Sequence, residues 1–164
     1  MPSDIRDLVT AITVVVAVYG AGLATYTAVT TRRTTQRLLR TRLTLNVLGD
    51  TPEPRTVFLL SAANAGQRVV KIVSACIRFP GGSQFMPLEP PLGNYLPREL
   101  QEGDDLNIPI ALEHVVQALQ ESGYRGRVTL HAQFRDVLGE LHLSRPLRGN
   151  VEAWARLAAK RPAA

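Results

Sequence analysis

The chain has 164 residues, one cysteine and a net charge of +5. That length suits one small domain with chain to spare, and a lone cysteine excludes an intramolecular disulfide. Residues 32–42 hold five arginines and no acid, whereas residues 43–164 carry 13 basic against 12 acidic side chains, so the bulk of the chain is almost neutral. It lacks the concentrated basic face that nucleic-acid binding requires.

Residues 1–7 form a short N-terminal tail containing Asp4, Arg6 and Asp7. From Leu8 to Thr31, 24 residues pass without a charged side chain. At about 1.5 Å per residue a helix of that length reaches roughly 36 Å, enough to cross a hydrocarbon core of about 30 Å. A transmembrane helix over residues 8–31 is predicted. Thr10, Thr13, Thr25 and Thr27 fit it, because a hydroxyl in a helix can bond to the preceding turn. Gly20, Ala24 and Ala28 recur every fourth residue, and such small-residue rows allow close helix–helix approach. They are the candidate helix-association residues, for a homo-oligomer or for a larger membrane complex.

Arg32, Arg33, Arg37, Arg40 and Arg42 follow as a basic juxtamembrane collar over residues 32–42. On a continued helix Arg33, Arg37 and Arg40 share one face, where each arginine meets anionic lipid at about 1 kcal/mol. All five are candidate lipid-contact residues. Flanking positive charge predicts an N-terminus outside and a C-terminal domain in the cytoplasm, single-pass in a plasma or cell inner membrane. A cleaved signal peptide would carry its basic region before the apolar run, not after it.

Residues 43–148 read as strands. Thr41–Leu48 alternates, with Leu43, Leu45 and Val47 on one face, and Asp50–Pro54 is a loop. Thr56–Ala63 and Val69–Phe79, separated by Asn64-Ala65-Gly66, are predicted to pair as a hairpin. A short strand near Ser83–Leu88 precedes an irregular Pro-rich segment, Pro87–Pro97, and Asp105–Leu112 alternates again. Glu113–Ser122 is a short helix stopped by Gly123. Val128, Leu130, Ala132 and Phe134 then alternate into a turn at Asp136–Gly139. Pairing Arg135 with Glu140 sets Phe134 against Leu141. Residues 149–164 form a C-terminal short helix, with Trp154 and Leu157, and a tail.

The pattern predicts a mainly β antiparallel sandwich with one short connecting helix, behind a single transmembrane α-helix. The run Val57–Gly66 followed by Val69-Val70-Lys71-Ile72 resembles the Asn-x-Gly hairpin of bacterial immunoglobulin-like modules. The whole resembles uncharacterised bacterial proteins with one N-terminal membrane helix and a small sandwich domain. That resemblance implies an immunoglobulin-like fold and an anchored topology, and no catalytic residue.

Chemical motifs are sparse. No glycine-rich phosphate loop precedes a Lys-Ser/Thr pair, and one cysteine cannot build the usual zinc sets. Cys76 reads as a small strand residue without a His or Asn partner pattern. His131 and His142 are expected together on the outward face of the last hairpin, with no convincingly placed carboxylate. Glu99, Glu102, Asp104, Asp105 and Glu113 lack the ligand alternation of a calcium loop. The expectation is therefore no catalytic, metal or cofactor site. It is for a non-enzymatic, membrane-anchored interaction or scaffold module with a protein partner, alternatively an accessory subunit assembling through its transmembrane helix.

Overall fold

The computed structural model describes residues 3–35, 38–48, 55–86 and 95–159. The chain divides into two compact units, Met1–Gln36 and Arg37–Ala164.

The first unit is one helix, α1 (Ser3–Thr35). Its window Ile12–Val29 has a mean hydropathy of 1.7 and no buried residue, so it is long and apolar enough to cross a membrane. Thr25 and Thr27 donate their hydroxyls to the carbonyls of Ala21 and Leu23, at 2.9 and 2.8 Å, as expected of threonine on an apolar helix.

The second unit is mainly β. The strands are β1 (Leu39–Leu48), β2 (Arg55–Asn64), β3 (Val70–Arg78), β4 (Gln84–Phe85), β5 (Arg98–Leu100), β6 (Asp105–Ala111), β7 (Arg127–Asp136), β8 (Leu141–Leu143) and β9 (Leu147–Asn150). Helices α2 (Leu112–Glu121) and α3 (Val151–Ala159) follow β6 and β9. One antiparallel sheet has the order β1-β2-β6. The other has β4-β3-β7-β8, with β5 also on β3 and β9 also on β7. Leu43, Phe58, Leu60 and Ile108 from the first sheet share one buried cluster with Ile72, Ile77, Leu130 and Phe134 from the second. Of the elements absent from the sequence reading, β5 has three residues and β9 four. Neither is long enough to display an alternation.

The expected hairpin of β2 with β3 does not form. Both edges of β2 are taken, by β1 and β6, and β3 belongs to the other sheet. Asn64 makes the corner between them. Its side-chain amide donates to the carbonyls of Arg68 (2.8 Å) and Leu100 (2.9 Å), and its Oδ1 accepts from Gly66 N–H (3.0 Å). The Asn-x-Gly sequence is thus an Asx turn that carries the chain between sheets. In β3 a bulge between Ile72 and Ser74 shifts the inward positions from Val70 and Ile72 to Ala75 and Ile77.

α2 ends where Gly123 was expected to stop it. Gly123 takes φ 80°, and Tyr124 N–H returns to Leu119 C=O at 2.9 Å. α3 begins with Asn150 Oδ1 accepting from Ala153 N–H at 2.8 Å, an N-cap. The Glu152 carboxylate accepts Gly126 N–H through both oxygens, at 2.9 and 3.1 Å. Chiefly through that bond, the Glu152 carboxyl is held below its ordinary range, with Arg125 and Arg156 adding smaller effects. A carboxylate whose pKa falls on folding stabilises above its unfolded value and loses that contribution as pH drops through the folded one. Glu152→Gln should therefore lower stability at neutral pH, with its deficit against the parent shrinking as pH falls through and below the usual glutamate range, so that the acid limb is flatter. Denaturation midpoints of both proteins across that range check it.

Candidate functional site

Three places carry features of functional interest: the apolar helix, the arginine collar and the turn between β7 and β8.

Gly20, Ala24 and Ala28 lie exposed on α1 at their four-residue spacing, and a Cβ added at Gly20 meets nothing within 4 Å. The collar does not continue as one helix. Arg32 and Arg33 belong to α1, Arg37 lies outside the described residues, and Arg40 and Arg42 are exposed residues of β1 opposite Ala63 and Ser61. The alternation of Leu39, Thr41, Leu43 and Leu45 has a period of two, so pairing with β2 overrides the helical reading of this segment. Arg40 and Arg42 line an open groove of about 1180 Å³ together with Arg145, Asp105, Asn107 and Leu147. Arg125, Arg127, Arg135 and Arg148 are exposed. Pro90 and Pro91, in the Pro-rich segment, lie outside the described residues.

The β7–β8 turn differs from expectation by one residue. Arg135 faces Leu141, and Phe134 faces His142. Gly139 takes φ 86°, and Asp136 N–H bonds to Glu140 C=O at 3.1 Å, which closes a three-residue loop. The Asp136 side chain fixes it, since Oδ1 accepts from both Leu138 and Glu140 N–H at 2.9 Å. A slip of one residue exchanges the faces of a strand. Leu141 and Leu143 are therefore exposed, and His142 turns to the side of Phe134. His131 lies on the opposite face of the sheet, its Nδ1 2.9 Å from Ser144 O, so the two histidines do not meet.

His142 meets carboxylates instead. Its Nε2 is 3.6 Å from Asp136 Oδ2. Both atoms are buried, and neither has a hydrogen-bond partner. Glu140 lies exposed beside them, and one ligand atom from each of Asp136, Glu140 and His142 fits within a mutual 4.8 Å. Asp136 itself is 2% exposed. The sequence signal was present in the spacing: Glu140 and His142, two apart, share a strand face, and a three-residue loop brings Asp136 onto that face.

Cys76 is buried among strand residues, and burial pushes its thiol up from the ordinary range. It is an unreactive core residue at neutral pH. No protein-family model matches this chain, and no curated protein does.

Proposed function

We propose that this protein is a membrane-anchored, non-enzymatic interaction or scaffold module, with α1 spanning the bilayer and an immunoglobulin-like β domain on the cytoplasmic side. The observation that carries the reading is the window Ile12–Val29, with its mean hydropathy of 1.7 and no buried residue. A core helix of a soluble domain would bury much of such a surface. The orientation rests on the arginines that follow the span. Arg40, Arg42 and Arg145 give the groove they line a basic character suited to anionic headgroups or to an acidic segment of a partner protein.

The anchor and the orientation are tested together. Alkaline carbonate should leave the full-length chain, at uncleaved mass, in the membrane pellet. Release, or loss of the N-terminal segment, removes the anchor. Buried Cys76 is a poor topology reporter, so orientation is read from Val69→Cys, at a position 50% exposed. A membrane-impermeant maleimide should miss this thiol in intact cells and label it after permeabilisation. Labelling in intact cells reverses the orientation.

A further inference from the structure

We infer that Asp136, Glu140 and His142 form a binding site for one zinc-type divalent cation at the β7–β8 turn. This goes beyond the anchoring role and is independent of it.

Buried polar atoms without partners are rare and costly, and here two of opposite character face one another. At 3.6 Å, Asp136 Oδ2 and His142 Nε2 stand beyond direct hydrogen bonding. The gap suits an intervening cation. With zinc–ligand bonds of about 2.0–2.1 Å, neighbouring ligands of a tetrahedral site lie about 3.4 Å apart. Asp136 is held for the purpose, because Oδ1 is occupied by the N–H groups of Leu138 and Glu140 and Oδ2 is left free to coordinate. Glu140 is exposed, and its carboxylate can close over the cation as the third ligand. Water takes the fourth position. Two carboxylates neutralise the doubly charged ion where it is shielded from solvent.

The donor set also selects. An imidazole nitrogen with two carboxylates suits zinc and its first-row neighbours, whereas calcium takes six to eight oxygens and magnesium prefers an octahedral oxygen shell. Because the ligands come from the end of β7, the turn and β8, the cation would tie the hairpin together.

The test uses the tag-free full chain in lipid nanodiscs, stripped of metal with a chelator. Zinc titrated by calorimetry should bind once per chain and raise the Tm of the β domain. Cobalt should give the visible bands of a four-coordinate site, while calcium and magnesium leave both readouts unchanged. Glu140→Gln, an exposed change that spares the fold, should weaken zinc by at least about tenfold, because even loss of an outer-shell partner typically costs that much. His142→Gln should weaken it further, and the metal-free Tm of each variant reports its folding. His114→Gln and His131→Gln should bind zinc like the parent. The proposal is overturned if zinc does not bind, if Glu140→Gln and His142→Gln bind it like the parent, or if calcium competes equally.

Discussion

Gly149→Ala is expected to destabilise the β domain by about 3 kcal/mol, at the upper end of overpacking costs, although it adds a single methyl group. A Cβ at residue 149 would lie 1.9 Å from Trp154 Cζ2, 2.5 Å from Cε2 and 2.6 Å from Cη2. Those atoms belong to a rigid ring that also packs edge-to-face with Phe58, with centroids 5.2 Å apart at 89°. The ring cannot yield without leaving Phe58, one of the largest fully buried side chains. Backbone strain plays no part, because Gly149 is not among the glycines with positive φ. In an open site of that kind alanine would stabilise by about 0.4–1 kcal/mol through the unfolded chain. Gly139 is the converse case, with φ 86° and no atom within 4 Å of an added Cβ. Alanine there should cost about 1–2 kcal/mol from conformation alone. Trp154 is the only tryptophan, so its fluorescence follows unfolding of the β domain and is silent on α1. In urea the Gly149→Ala midpoint should fall well below that of Gly139→Ala, with red-shifted native emission. Adding Trp154→Leu should relieve part of the Gly149→Ala cost, a coupling expected of residues in contact. An unchanged midpoint for Gly149→Ala would refute the packing of Trp154 over residue 149.

Strands that bury one face along their whole length were legible in the sequence. Leu106, Ile108 and Ile110 alternate strictly and are all buried, and the apolar run of β2 lies within one residue of its expected bounds. The helices were legible because each has one apolar stripe and a capping residue: Gly123 after α2, Asn150 before α3. Partners were not legible. Local pattern states that β2 and β3 are strands, but nothing in it states that β1 and β6 occupy both edges of β2. Asn64-Ala65-Gly66 is compatible with a hairpin and with a corner. What decides is the Leu100 carbonyl, 36 residues away, which receives the Asn64 amide.

The β7–β8 turn was lost for a related reason. Setting Phe134 against Leu141 maximises apolar matching, and that criterion gave the wrong register. The real register follows from turn chemistry, with Gly139 at positive φ and two loop N–H groups captured by Asp136. It exposes Leu141 and Leu143 and turns His142 toward Asp136. A local choice that sacrifices apolar burial to bring a histidine and two carboxylates together is the kind of conflict that functional sites retain. The collar shows the opposite dominance. Charge marks its arginines for a continued helix, but the strand expected from Thr41 already begins at Leu39 and takes Arg40 and Arg42 with it.

Asn64→Asp should be more damaging than Asn64→Ala, even though aspartate is the closer match in shape. Asn64 is 1% exposed, and its amide group supplies two donors to the carbonyls of Arg68 and Leu100. Alanine removes both donors and the acceptor for Gly66 N–H, leaving polar groups unsatisfied in the interior, at about 2–4 kcal/mol in all. Aspartate keeps the acceptor but points a buried charge at two carbonyl oxygens. It should cost about 1 kcal/mol or more beyond alanine, because an uncompensated buried charge exceeds the penalty of unsatisfied neutral groups. The same repulsion raises the folded-state pKa of the introduced carboxyl above its unfolded value. A proton taken up there restores one donor, so Asn64→Asp should regain stability relative to Asn64→Ala as pH falls from neutral toward the ordinary aspartate range. Its deficit is complete above the raised folded value. Urea midpoints read from Trp154 fluorescence at a series of pH values test both the order and the slope. Equal losses for the two variants at neutral pH, or a pH-independent difference between them, would mean that Asn64 does not hold the two sheets together through its amide.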